Sequence, residues 1–390
     1  MHLSSAAILP DDPAEACLLG RVWLPEAEGP AVVTVRGNEV VDITERAAPT
    51  VRDVCEADEP AALVRGVEGR GLGSLDAILA NSDPARRDPD RPWFLAPVDL
   101  QAVKAAGVTF VRSMLERVIE EQARGSRERA EAIRAEIGDA LGRDLRGIRP
   151  GSPEAARVKD ILVAKGAWSQ YLEVGIGPDA EVFTKAQPLS PVGIGAGVGV
   201  HPVSRWNNPE PEVVLAVSSA GRVVGAMLGN DVNLRDVEGR SALLLGKAKD
   251  NNASCALGPF LRLFDEDFGL DDVRHAEVTL EVAGDDGFRM AGRSNMVEIS
   301  RDPADIVAQT IGANHQYPDG FVLFLGTMFA PVEDRGAPGM GFTHRPGDEV
   351  RIHAARLGTL VNRVDRTDRC PPWTFGVSHL MRNLAARGLL

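Results

Sequence analysis

The later half of the chain alternates short apolar runs with turn formers. YLEVGIG, PEVVLAV, RVVGAML, AEVTLEV, FVLFLGT, DEVRIHA and LGTLVNRV follow one another, separated by Gly, Pro, Asn and Asp. Short runs rich in β-branched residues between such breakers predict strands. Residues 17 to 45, CLLGRVWLPEAEGPAVVTVRGNEVVDITE, have the same texture, whereas residues 46 to 95 mix helix-like pieces with loops such as NSDPARRDPDRPW. From about 111 to 165 the period changes. VRSMLERVIEEQARGSRERAEAIRAEIGDALG carries apolar residues three and four apart on a charged background, broken at Gly125, which predicts amphipathic helices. The pattern as a whole predicts a β-rich α+β fold with a small N-terminal α+β domain over 1–95. A larger domain follows over 96–390, interrupted by a helical insertion at about 111–165.

Composition narrows the partners. The 390 residues are 44% apolar, with a mean hydropathy of -0.10, as in a soluble globular protein. No run reaches the ~20 apolar residues of a membrane span, and MHLSSAAILPDDPAEA lacks the order of a signal peptide; a cytoplasmic protein is expected. A net charge of -13 without a basic tract opposes attraction to nucleic acid or anionic membrane. Cys17, Cys55, Cys255 and Cys370 are scattered with no CxxC pair, so reduced core thiols are expected rather than a disulfide framework or thiolate zinc site. A small-molecule partner, with a cation to offset local negative charge, fits best.

The stretch WNNPEPEVVL supplies that negative charge. Side chains alternate along a strand, so Glu210 and Glu212 share a face if PEPEVVLAV is extended. SSAG at 218–221 reads as a turn and RVVGAML as the returning strand. Pairing Val217 with Arg222 sets Glu212 opposite Met227, Glu210 opposite Gly229 and Asp231 opposite Asn208, all on one face. Three converging carboxylates repel unless a hard divalent cation neutralises them. Mg²⁺ suits such oxygen ligands, with Mn²⁺ and Ca²⁺ as alternatives. The same glutamates would equally suit a solvated strand edge. The neighbouring GNDVNLRDVEGR and GKAKDNNASCALGP favour the metal by adding Arg235, Lys247 and Lys249, cations suited to an anionic substrate. A lysine beside Mg²⁺ can also have its pKa lowered enough to act as a base.

The order E-x-E, G-N-D-V-x-x-R-D, A-K-D followed by L-G-P, L-G-T-M-F-A-P, G-D-E-V and L-G-T-L-x-N resembles the fumarylacetoacetate hydrolase superfamily over about residues 95 to 390. The resemblance implies a catalytic mixed β-sheet roll over 96–390 that binds Mg²⁺ through Glu210, Glu212 and Asp231. It further implies that Lys249 lies near the substrate, that Thr327 in the Gly326 turn contacts the substrate carboxylate, and that Arg235 and Lys185 lie close by. Hydrolases of the superfamily carry a histidine where GVTFVRSMLE has Ser113, so water has lost its obvious base. The longer chain, the helical insertion and the runs SQYLEVGIGPDAEVFTK and KDNNASCALGPF are most similar to the sugar-acid dehydratases of the superfamily. These convert 2-keto-3-deoxy-pentonates, such as the D-xylonate or L-arabinonate derivative, to 2,5-dioxopentanoate (α-ketoglutarate semialdehyde) in non-phosphorylative pentose catabolism.

On that resemblance, Lys249 is the first candidate for the base that removes a C3 proton and Glu116 the second, while Ser113 joins the substrate-binding residues. An acylpyruvate-type hydrolase, a decarboxylase or tautomerase, and a non-catalytic sugar-acid binding protein remain as alternatives. The superfamily's habit implies a homodimer or homotetramer. GIGAGVG at 193–199 is not followed by a helix-like segment, so a dinucleotide loop is not expected. His315, in ANHQYPDG, is expected to be structural.

Overall fold

A computed structural model describes residues 1–124, 126, 129–130, 132–133, 148–164, 168–329, 331, 333–336 and 341–390. The expected helical insertion falls partly outside these residues. Within them its helices are Val111–Ala123 and Pro153–Ala164. No helix among the described residues is long and apolar enough to cross a membrane.

Two sheets carry the fold. The larger has eleven strands, running Arg70–Ser74, Glu39–Asp42, Gly29–Arg36, Leu18–Leu24, Cys255–Leu263, Val223–Asp231, Pro211–Val217, Phe321–Phe324, Ala102–Gly107 and Glu181–Ala186, with Trp93–Leu95 also paired to Leu18–Leu24. The smaller runs Arg289–Asn295, Glu277–Ala283, Glu349–Ala354, Gly358–Arg366 and Gly197–Val200. Most pairs are antiparallel, but Phe321–Phe324 is parallel to Ala102–Gly107, so the sheet is mixed, as expected. The N-terminal strands join the same sheet through Leu18 opposite Arg262 and Leu19 opposite Leu261. Hydrogen bonding is therefore continuous across residue 95.

The central strands are covered on both faces, which is why PEVVLAV reads as an unbroken apolar run rather than an alternation. Val213, Leu215 and Val217 point into a core shared with Val278, Leu280 and Ile352 of the smaller sheet. Val214, Ala216, Met227, Leu257 and Phe324 point the other way, onto Val51, Val54 and Val64 of the N-terminal helices. Glu277–Ala283 is covered on one face only, and its burial alternates accordingly.

One expected strand is a helix. YLEVGI lies in helix Gln170–Ile176, which ends at Gly177 and is capped by Ser169, whose hydroxyl accepts the Tyr171 N–H at 3.2 Å. Leu172 and Ile176, one turn apart, bury against Met114 and Val118 of helix Val111–Ala123. GIGAGVG passes into strand Gly197–Val200, not a helix. The four cysteines are free and buried.

Candidate metal centre

Strands Pro211–Val217 and Val223–Asp231 form a hairpin whose open end carries the acidic residues. The register differs by two residues from the expected one. Glu212 lies opposite Gly229, Asp231 N–H donates to Glu210 O at 3.0 Å, and Asn208 pairs with Asn233 rather than Asp231. Two local irregularities account for this. Ser218 N–H bonds Arg222 O at 2.9 Å, closing the turn around residues 219–221, and a bulge between Val223 and Gly225 inserts one more residue. Each displaces the pairing by one, so together they preserve the face, which a single slip would have inverted.

Glu210, Glu212 and Asp231 therefore converge. One carboxylate oxygen from each lies within 4.8 Å of the others, and all three residues are buried. Glu212 is oriented by the next strand, accepting the Gly326 N–H at 2.7 Å and the Thr327 hydroxyl at 3.1 Å. Gly326 has φ +102°, and a Cβ there would stand 1.9 Å from Thr109 Oγ1, so the turn that aims this N–H requires glycine. Gly326 and Thr327, expected near the substrate carboxylate, are thus engaged with Glu212.

Two lysines approach from the other side. Lys249 Nζ lies 2.5 Å from Glu210 Oε2 and 3.0 Å from Asp231 Oδ2. Lys185, fully buried, sits 2.8 Å from Asp231 Oδ1 and donates to Lys249 O at 2.5 Å. It stands behind the Asp231 carboxylate and ties it to the end of helix Leu245–Lys249. Arg235 pairs with Glu116 at 3.0 Å, donates to Pro331 O at 3.2 Å and lies 4.4 Å over the Trp206 ring. The side chain of Ser113 lies outside the described residues. His315 is exposed and stacks on Tyr317.

Four contributors, Arg117, Glu238, Glu181 and Phe183, were not singled out from the sequence. Arg117, next to Glu116 on helix Val111–Ala123, bonds Glu210 Oε1 and reaches Glu238 at 3.5 Å. Burial at consecutive positions of a charged helix is not visible in the pattern. Glu181 stands on strand Glu181–Ala186 with Phe183 and Lys185 at the same-face spacing. Phe183 underlies Lys249 at 5.8 Å and Lys185 meets Asp231, so this face walls the centre. That E-x-F-x-K alternation was the available signal.

Charge decides what the centre can hold. Among the described residues it gathers the carboxyl groups of Glu116, Glu181, Glu210, Glu212, Asp231 and Glu238 against the cations Arg117, Lys185, Arg235 and Lys249. Among these ten groups carboxyls outnumber cations by two, and two of the carboxyls respond to their neighbours. Burial, with Asp231 and Glu210 beside it, pushes Glu212 well above the usual carboxylate range. Burial, with Glu238 nearby, pushes Glu181 up to about 7. By contrast, Glu210 is held at about 2, because Lys249 and Arg117 outweigh its burial. A divalent cation on the triad would remove the same excess without protons, and its three ligands are the hard oxygens such an ion prefers. The donor set fits. Lys249 departs from the lowered pKa expected of it: burial pulls it down, but Asp231 and Glu210 outweigh that and raise it.

A buried carboxylate triad at the open end of a mixed-sheet hairpin could hold a divalent cation, and comparison with known proteins agrees with the motif reading. Residues 209–365, which span the triad, match the model of the fumarylacetoacetate (FAA) hydrolase C-terminal family. The 2-dehydro-3-deoxy-D-arabinonate dehydratase of Saccharolobus solfataricus is 30% identical over 186 residues, 48% of this chain and 59% of that protein. The probable 2-keto-3-deoxyxylonate dehydratase of Haloferax volcanii is 31% identical over 194 residues, 50% of this chain and 63% of that protein. The matches thus span less than two thirds of either curated relative. In fold, the chain is similar to a 2-keto-3-deoxy-D-arabinonate dehydratase solved with magnesium and 2,5-dioxopentanoate, with a TM-score of 0.60 at 20% identity over 89% of this chain and 98% of that one. A 5-carboxymethyl-2-hydroxymuconate delta-isomerase from Mycobacterium smegmatis superposes with a TM-score of 0.53 at 19% identity over 90% and 98% of the two chains.

Proposed function

We propose that the chain is a Mg²⁺-dependent hydro-lyase that converts a 2-keto-3-deoxy-pentonate, derived from D-xylonate or L-arabinonate, to 2,5-dioxopentanoate in non-phosphorylative pentose catabolism. The observation that carries the reading is the buried triad of Glu210, Glu212 and Asp231, whose carboxylate oxygens converge. The names of the two curated relatives supply the substrate class. A cytoplasmic homodimer or homotetramer accompanies this reading and comes from the sequence resemblance.

Glu210, Glu212 and Asp231 would hold the cation, which would supply Lewis acidity to the keto-acid head of the substrate and so ease removal of a C3 proton. The chain's own residues then handle the protons. Lys249, held as an ammonium by Glu210 and Asp231, balances charge and offers its third hydrogen to a substrate oxygen. Glu116 is engaged by Arg235 at 3.0 Å. Glu181, with a pKa of about 7 and on the wall beside Lys249, is the group matched to proton transfer near neutral pH. In the proposed elimination Glu181 takes a proton from C3, the electron pair forms the C3–C4 double bond, and the C4–O bond breaks. The C4 hydroxyl leaves as water with the proton Glu181 has just received. Protons then move from C5 and its hydroxyl to C3 and C4, giving the aldehyde.

The test is a mass-spectrometric product assay on 2-keto-3-deoxy-D-xylonate and its L-arabinonate counterpart, with Mg²⁺ and after EDTA. Metal-dependent loss of one water to 2,5-dioxopentanoate supports the reading. No turnover of either, together with cleavage of an acylpyruvate, would replace it with the hydrolase.

A further inference from the structure

The hairpin register continues past the triad. Glu212 lies opposite Gly229 and Glu210 opposite Asp231. Asn208 and Asn233 exchange both backbone hydrogen bonds at 3.1 Å, and Asp236 N–H donates to Trp206 O at 3.2 Å, beside the Arg235 guanidinium over the Trp206 ring. Directly paired residues share a face. Carboxylates, then amides, then a guanidinium on an indole therefore form one row. Helix Val111–Ala123 covers it, with Ile119 and Ala123 clustered on Trp206 and with Glu116 and Arg117 reaching Arg235 and Glu210.

The amides are the unexplained members of this row. Asn208 and Asn233 are fully buried, yet Asn208 Oδ1 and both polar atoms of the Asn233 side chain have no hydrogen-bond partner among the described residues. Only the Asn208 amide nitrogen is engaged, donating to Pro209 O at 2.8 Å. Buried amides are costly when unpaired, so an orphan beside a ligand site points to a group that completes it.

We propose that Asn208 and Asn233 form a hydroxyl-binding subsite that reads the distal end of the substrate, an inference that rests on the keto-acid reading above. The free atoms are two acceptor oxygens and one amide donor. A hydroxyl donates its one proton to one of the oxygens and accepts from the amide N–H, which a methyl group cannot do, and a carboxylate cannot donate to the acceptors. The amide pair lies two residues along the strands from the Glu210–Asp231 pair, about 7 Å. That is the reach from a keto-acid head at the triad to a hydroxyl on C5. The subsite thus assigns recognition of the sugar-acid tail to residues that take no part in the proton transfers.

Calorimetric titration of the Mg²⁺-loaded protein with 2-oxopentanoate and 5-hydroxy-2-oxopentanoate isolates this contact, because neither acid has a C4 hydroxyl to lose. Wild type is expected to favour the hydroxylated acid by about tenfold, and Asn233→Leu to abolish that preference while holding 2-oxopentanoate within about twofold of wild type. Asn233→Ala gives the same comparison if the leucine variant does not fold. A preference that survives in the folded variants, or is absent from a wild type that binds 2-oxopentanoate, overturns the subsite. Failure of wild type to bind either acid overturns the keto-acid reading itself, and the subsite with it.

Discussion

Lys249 Nζ lies 2.5 Å from Glu210 Oε2, inside a ring of acidic groups that also includes Asp231 and Glu238. A buried ammonium in this setting is a structural cation as much as a chemical one. Its removal leaves buried carboxylates without their nearest compensation.

Lys249→Met is therefore expected to lower stability without added metal by about 3 kcal/mol, since a buried ion pair has lost one partner. Mg²⁺ should recover much of that loss by neutralising the same carboxylates. Thermal melts of both proteins across a Mg²⁺ series test this. Equal sensitivity of wild type and variant to Mg²⁺ would count against the shared charge balance.

Glu181 gives a pH dependence with a definite sign. Its pKa is raised to about 7 by burial and its acidic neighbours, so the folded protein binds this proton more tightly than the unfolded chain does. The stability it lends is fully present below the ordinary carboxylate range and is lost as pH rises through about 7. Before Mg²⁺ is added, wild type should lose thermal stability between about pH 5 and 8 relative to Glu181→Gln. In the loaded enzyme, kcat/KM should rise with pH as Glu181 ionises. Glu181→Gln should remove both that limb and most of the turnover, and a variant that keeps near-normal kcat would return the base role to Lys249 or Glu116.

Thr327 bears on the triad through Glu212, donating its hydroxyl at 3.1 Å. Thr327→Val keeps the shape and removes the donor, leaving Glu212 oriented by Gly326 N–H alone. Groups that orient a ligand in this way typically change metal affinity by about 10-fold or more. Calorimetric titration with Mg²⁺ should show weaker binding at unchanged stoichiometry, and unaltered affinity would assign Thr327 to the substrate instead.

The triad was legible from the sequence because its signal is local. E-x-E fixes a shared face, and the face survives any even change of register. The register itself was not legible, because neither the closing pair of the turn at Ser218–Arg222 nor the bulge at Val223–Gly225 leaves a distinct residue signature. YLEVGIG failed for a related reason: a short apolar run fits a buried strand or a buried helix, and the cap at Ser169 decided it. Arg117 and Glu238 were hidden because sequence pattern treats charged residues as solvent-facing by default. Only the tertiary gathering of opposite charges makes their burial tolerable.

Gly107 offers a test of Glu181 that leaves the carboxyl chemically intact. The strand positions oppose each other across Ala102–Gly107 and Glu181–Ala186, and a Cβ on Gly107 would lie 1.9 Å from Glu181 Oε2. The obstacle is the far end of a flexible side chain, so the fold can absorb a methyl group by turning the carboxyl aside. Gly107→Ala should accordingly melt within a few degrees of wild type and bind Mg²⁺ normally, since the triad is untouched. Turnover of the 2-keto-3-deoxy-pentonate should nevertheless fall by about 10-fold or more, as expected when a proton-transfer group is displaced by an ångström. KM should change little, because Glu181 is assigned a proton rather than a binding contact. Unchanged kcat in a variant whose Glu181 had demonstrably moved would remove Glu181 from the reaction.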